Sequence, residues 1–180
     1  HGETEGQSSI RYFGATDIPL SELGREQVRR ARALVASQAF EVVWASSLSR
    51  AAESARIFAP GHAIRLEADF LFVYFGRWEG LTREEIAARD PELFAVWQRD
   101  LAGFDYPGGE RRSDFRVRIA RGLDRLRTSG ASSALVVAHK GVVRTLLDLI
   151  SGETLAGHEP ELGGVIHVAR DSGGRWRRGD

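Results

Sequence analysis

Three stretches of this sequence hold side chains whose types and placement could do chemistry: His1-Gly2-Glu3, Arg50, and His139-Lys140-Gly141. Each histidine offers a neutral nitrogen lone pair or an N–H, and the arginine offers a fixed positive fork. His139 follows an apolar run, residues 134–138, that reads as a buried strand, and Arg50 lies just past a second strand-like run that ends at Ala45. In an open α/β sheet, functional groups collect at the carboxyl ends of strands. A helix starting after His139 would also turn its first N–H groups toward an anion. Taken singly, each residue has a plainer reading. His139 could be a capping or packing histidine, His1 a tag remnant and Arg50 a solvated helix arginine. The joint occurrence favours a site.

The elements that must position these residues alternate between strand-like and helix-like along the chain, the pattern of an α/β domain with helices over a mostly parallel sheet. Ser21 can cap a helix through about residue 38, with Leu23, Val28, Ala31, Leu34 and Val35 on its apolar face. A strand is expected at 41–45, broken by Ser46 and Ser47, then a helix at 48–59 and a strand at 63–67. Residues 70–75 are aromatic and irregular. Thr82 and Glu85 have capping-box spacing, and Asp90-Pro91 is a cap followed by proline at the first helical position, so helices are expected at 83–89 and 91–101. Beyond the Pro107-Gly108-Gly109 loop, Ser113 caps a long helix that Gly130 ends. Residues 134–138 form a strand, 140–150 a helix and 165–169 a last strand, with 170–180 a frayed or short hairpin end.

Composition limits the chemistry further. With 42% hydrophobic residues in 180, the chain can build one core, so a single domain over 1–180 is expected. Twenty-five basic residues balance twenty-five acidic ones, leaving no global field to draw nucleic acid or an anionic membrane. Without cysteine there is no disulfide framework, thiolate nucleophile or Cys-type zinc site, which fits a reducing compartment, and the cytoplasm is the expected location. No apolar run approaches the ~20 residues of a membrane span. The sequence holds no methionine and opens on His-Gly-Glu-Thr, so an upstream segment is expected.

The ordered motifs resemble those of the histidine phosphatase superfamily, the phosphoglycerate-mutase-like proteins, along nearly the whole chain. His1-Gly2-Glu3-Thr4 resembles the family's Arg-His-Gly-Glu-Thr signature without its arginine, and Arg11 and Gly14 fall on a familiar arginine and glycine. Residues 17–24 are similar to the run that opens the first helix, and Ser46-Ser47-Leu48-Ser49-Arg50-Ala51 to the segment with the second phosphate-binding arginine. Residues 75–82, Pro107-Gly108-Gly109-Glu110 and residues 136–144 resemble three further family segments, the last carrying the second histidine. The resemblance implies a three-layer α/β/α fold lacking the strand that precedes His1, and it is nearest to the small bacterial phosphatases that include α-ribazole phosphatase. It also implies catalytic roles for His1 and His139, and phosphate contacts from Arg50, Gln7 and Gly2.

Phosphoryl transfer spreads charge over three equatorial oxygens, so such a site consists of an aligned nucleophile surrounded by cations and N–H donors. His1 would attack phosphorus while Arg50 and His139 hold the oxygens, and positive neighbours would keep His1 unprotonated. No metal or other cofactor is called for.

This chain departs from the family pattern at several positions. Gln7 replaces a common asparagine, and Lys140 replaces a glycine. Most consequential, Phe72 occupies the position of the general-acid glutamate, in an apolar strip over residues 70–75 that is either core, a substrate wall or an interface. Glu79 and Glu67 are candidates for a displaced acid. The expected function is therefore a phosphomonoesterase for a small phosphorylated metabolite, working through phosphorylated His1. A phosphate-binding pseudophosphatase is the alternative, and a phosphoglycerate mutase a second. A homodimer is admitted as a partner; nucleic acid and membrane are not.

Overall fold

A computed structural model of the chain describes residues 1–101, 103–152 and 161–178. Its centre is a parallel sheet of three strands, β1 (Val42–Ser46), β2 (Ile64–Glu67) and β3 (Ala134–Val137), in the order β2-β1-β3. Alternation along the strands divides the core in two. Val43, Ala45, Leu135 and Val137 face one side, where they meet α1 (Glu22–Arg32) and α2 (Ser49–Phe58) through Val28, Ala31, Ala51 and Ala55. Trp44, Val136 and Ala138 face the other, against α5 (Arg112–Thr128) and α6 (Lys140–Ser151) through Phe115, Ile119, Val142 and Leu146. The expected three-layer α/β/α architecture with a mostly parallel sheet is thus present, because each strand must bury both faces. The short helices α3 (Arg83–Arg89) and α4 (Pro91–Arg99) enlarge the second cluster through Ile86 and Trp97.

Several boundaries differ from the sequence expectations for local reasons. Helix α1 keeps its Ser21 cap but tightens after Arg32 into a 3-10 turn over Ala33–Val35. Its buried face is Gly24, Val28, Ala31 and Val35, spaced four, three and four residues apart. Leu23 and Leu34 fall off that stripe and stand 61% and 71% exposed. Ser46 does not break the first strand but ends it, fully buried. The Thr82–Glu85 capping box forms as expected. Ser113, by contrast, does not cap α5. The helix starts at Arg112, and the carboxylate of Asp105 accepts the Arg112 N–H at 2.8 Å in its place. Asp90 precedes Pro91 as expected, but its carboxylate is taken by Arg77, at 2.9 and 2.7 Å, and by the Trp78 indole N–H at 2.7 Å. The last strand is shorter and later than residues 165–169: β4 (Val168–Arg170) pairs antiparallel with β5 (Trp176–Arg178) in a terminal hairpin, and residues 179–180 lie outside the described residues.

The aromatic strip is divided between the core and the surface. Phe70, Val73 and Phe75 are core, Phe72 is half-buried and Tyr74 is 45% exposed. Gly76, at φ +60°, turns the chain after it, and a Cβ there would strike the Pro107 carbonyl.

The contrast between the two proposed caps gives a direct test. Thr82→Ala should lower unfolding free energy by about 1 kcal/mol, as loss of a formed cap does, while Ser113→Ala should stay within about 0.5 kcal/mol. Urea unfolding with unchanged m-values checks both.

Candidate active site

β1 and β3 are neighbours followed by helices on opposite faces of the sheet, α2 on one and α6 on the other, and the crevice beyond their carboxyl ends is where such sheets place a site. Both walls of that crevice carry expected residues. Ser46 ends β1, Arg50 is the second residue of α2, and His139 is the N-cap of α6 directly beyond β3. His139 Nε2 lies 2.9 Å from the Ser46 hydroxyl, so a hydrogen bond joins the two strand ends. His1 lies beside β3: its nitrogen donates to the Ala138 carbonyl at 3.3 Å, and its own carbonyl accepts the Gly163 N–H at 2.7 Å. The His1 and His139 rings meet edge-on, with centroids 5.0 Å apart and planes at 64°.

The hydrogen bonds of His1 fix which nitrogen can react. Its Nδ1 is 2.7 Å from the Gly2 carbonyl, and a carbonyl only accepts, so Nδ1 carries the proton and Nε2 keeps the lone pair. His139 is buried, and its Nδ1 has no partner among the described residues. Burial first, then the positive charge of Arg50, push its pKa well below the ordinary histidine value, so the ring is neutral near pH 7. Phe72 lies flat on it, with ring centroids 5.4 Å apart and planes within 9°.

Arg50 is not a solvated helix arginine, because it has no exposed surface at all. Its guanidinium donates to the carbonyls of Thr16 at 2.8 Å, Gly14 at 2.7 Å and Phe13 at 3.3 Å, while Nε has no partner. No carboxylate pairs with it directly among the described residues. Burial lowers its pKa to about 10, with Asp17 and Glu79 acting against that at longer range, so it remains a cation at neutral pH. Unpartnered buried polar atoms are rare, and a dehydrated cation without a counter-charge costs several kcal/mol. A bound oxyanion would satisfy the charge and the two vacant donor positions together.

The loop holding Arg50 is itself clamped. Glu79 accepts from the Gly14 N–H, the Ala15 N–H, the Thr16 hydroxyl and the Phe75 N–H, all at 2.6 to 3.1 Å. Asp17 accepts from the Ser49 N–H and hydroxyl at 2.8 and 2.7 Å, at the positive end of α2. Gly14 is required here, because a Cβ would run into the Val73 carbonyl and the Glu79 carboxylate. Glu79, a candidate for a displaced acid, therefore has its oxygens committed to backbone and hydroxyl donors.

The remaining expected residues stand as follows. Gly2 is buried where its Cα crosses the backbone of Gly24, so any larger side chain would clash. Gln7 is exposed and sits at φ +60°, a conformation that asparagine adopts more readily. Glu67, the register partner of Ser46 at the end of β2, is bound by Arg125 at 2.8 and 2.9 Å. Lys140 is exposed at the start of α6. Among the described residues, no group of three or more His, Asp or Glu side chains could hold a metal ion.

Three residues have parts that the sequence did not assign to them. Ser46 orients His139. Glu3 shapes the loop after His1, accepting from Thr4 N–H at 2.7 Å, the Ser8 hydroxyl at 2.9 Å and Ser9 N–H at 3.2 Å. Arg118, braced by Glu110 at 2.6 and 2.8 Å, donates to the carbonyls of Asp69, Leu71 and Phe72 and so fixes the segment that carries the Phe72 ring.

The family model of the histidine phosphatase superfamily (branch 1) matches residues 1–175. The chain belongs to the histidine phosphatase superfamily. A bifunctional protein of Mycobacterium tuberculosis is 37% identical over 153 residues, 83% of this chain but 42% of that protein, so the chain spans about two fifths of that relative. The adenosylcobalamin/α-ribazole phosphatase of Salmonella typhimurium is 31% identical over 150 residues, 82% of this chain and 74% of that one. The solved mycobacterial glucosyl-3-phosphoglycerate phosphatase superposes with a TM-score of 0.83 at 26% identity, covering 99% of this chain and 93% of that one. The chain thus joins a superfamily whose matched relatives include phosphatases, and none of its described helices is long and apolar enough to cross a membrane.

The buried histidine of this family site makes stability sensitive to pH. Below about pH 6.5 the unfolded chain binds a proton at position 139 that the folded chain refuses, so stability is intact above that value and falls as the pH drops, by about 1.4 kcal/mol per unit, until the folded ring titrates. Denaturation midpoints measured between pH 7 and 5 should show this slope in the native protein and lose it in His139→Gln. The carboxylates held low, Glu3, Glu67 and Asp69, add their own loss only below about pH 4.5.

Proposed function

We propose that the protein is a phosphomonoesterase that acts on a small phosphorylated metabolite through a phosphohistidine on His1. The observation that carries this reading is the pairing of a His1 Nε2 lone pair, set by the Nδ1 hydrogen bond to Gly2, with a buried Arg50 cation that has no directly paired carboxylate among the described residues. A phosphoryl group in the crevice would place oxygens against Arg50 Nε and His139 Nδ1 while phosphorus faces His1. Nε2 attacks phosphorus, the ester oxygen leaves, and water then attacks the phosphohistidine to release orthophosphate and restore the imidazole. Arg50 and His139 stabilise the charge on the equatorial oxygens in both steps. The phosphatases among the matched relatives support hydrolysis over phosphoryl shuttling, and one core on each face of one sheet supports a single catalytic domain.

Phe72 favours a second reading, a phosphate-binding protein with little turnover, because a phenyl ring stands over His139 where a proton donor is expected. Trapping separates the two. Rapid acid-free quenching of the protein with radiolabelled phosphate ester should yield an acid-labile phosphohistidine, and His1→Ala should lose both the label and at least roughly 10³-fold in turnover. Binding of orthophosphate without any label would establish the second reading, and full turnover in His1→Ala would remove the first.

A further inference from the structure

Among the described residues His139 is met by an aromatic ring, and neither histidine is met by an acid. Among the described residues no carboxylate is hydrogen-bonded to His1 or His139, and the acids around the site are committed elsewhere: Glu79 to the loop at residues 14–16, Asp17 to Ser49, Glu3 to residues 4–9 and Glu67 to Arg125. His139 is neutral, and its Nε2 is engaged with Ser46. What covers it is the Phe72 ring. Behind Phe72 stands Phe75, edge-on with centroids 5.4 Å apart, and behind Phe75 stands Tyr12, edge-on at 5.2 Å. Phe72 is half-buried, so part of the ring is open to a ligand, and the Arg118 bonds to residues 69–72 hold it in place. Gly141 leaves room for it, since a Cβ there would press on Phe72 Cε2 at 2.7 Å.

A leaving oxygen in this setting departs without a proton. Oxygens differ widely in how readily they do so. A phenol has a pKa of about 10, and that of water, which stands in for an alcohol, lies several units higher. An aromatic leaving group also suits the wall, since a ring can lie against Phe72 in the offset or edge-on arrangements that aromatic pairs prefer. We propose that this site selects aryl phosphates, monoesters whose bridging oxygen is attached to an aromatic ring, with that ring seated on Phe72.

This inference rests on the phosphohistidine reading above, and it adds the class of leaving group. The steps balance as follows. The His1 Nε2 lone pair forms the N–P bond while the P–O bond to the ring breaks, and the electron pair leaves on a phenolate that takes its proton from solvent. Water then forms the new P–O bond, the N–P pair returns to Nε2, and the water proton passes to solvent. The products are a phenol and orthophosphate.

The test compares ring-substituted phenyl phosphates with 2-phenylethyl phosphate, which keeps the ring but leaves as an alkoxide, in the native protein, Phe72→Glu and Phe72→Leu. The native protein should show kcat/KM falling steadily as the phenol pKa rises, and at least roughly 10³-fold lower for 2-phenylethyl phosphate than for phenyl phosphate. Phe72→Glu should narrow that gap by raising the alkyl ester, within the roughly 10²–10⁴-fold range that general acids supply. Phe72→Leu, which keeps the apolar volume, should leave the gap open and raise KM for the aryl esters.

Native hydrolysis of both ester types within tenfold of each other overturns the inference, as does an unchanged gap in a folded Phe72→Glu. If that variant does not fold, the native leaving-group series and Phe72→Leu decide the matter alone. Phosphohistidine that forms equally from both ester types removes the aryl preference and leaves the phosphohistidine reading intact. Absence of phosphohistidine with every ester removes that reading, and the preference with it.

Discussion

A guanidinium buried without a carboxylate beside it is the constraint on which the rest of this structure turns. Arg50 gives up its water and receives three backbone carbonyls in return, which hold its plane but leave its charge in force. The acidic groups that could have neutralised it, Asp17 and Glu79, are placed one step back, where they secure the loop whose carbonyls grip the guanidinium. A carboxylate in direct contact would be a better partner for the fold and a competitor for any incoming oxyanion. The arrangement gives up some stability to keep a cation available, and the same low dielectric strengthens its pull on an anion.

The sheet supplies the geometry that makes this affordable. Because β1 lies between β2 and β3, its end is buried on both sides, and the small residues Ala45 and Ser46 let α2 begin immediately beyond it. The turn from strand to helix delivers Arg50 from one wall of the crevice, and the β3–α6 turn delivers His139 from the other. The Ser46 to His139 hydrogen bond then sets the distance between the walls. Phe72 reaches the same crevice from a segment without regular structure, which is why it needs the Arg118 and Glu110 clamp.

Much of this was legible in the residues, and what was not has a common cause. Arg50 and His139 could be named because each follows a strand-like run, and His1 because it opens a short motif. The Thr82 and Glu85 box could be named because both partners lie within one helical turn. Ser46 looked like a strand breaker because its partner, His139, lies 93 residues along the chain, and Arg118 drew no notice because Glu110 and the carbonyls it binds belong to other segments. Leu23 and Leu34 were misplaced because apolar character alone does not say which stripe of a helix meets the sheet; the close approach of Gly2 to Gly24 decides that, and it is a tertiary contact. Which loop Glu79 holds could not be read without the tertiary contacts.

The partners that define the crevice are far apart along the chain: the His1 bond to Ala138 spans 137 residues, and the Ser46 bond to His139 spans 93. Contacts of that separation close late, because chain entropy must be given up before they form, whereas the helices need only their own neighbours. The crevice is therefore among the last features to exist as the chain folds. During refolding, helical signal returns before the crevice closes, and the contacts of His1 and His139 report completion of the sheet more faithfully than secondary structure does.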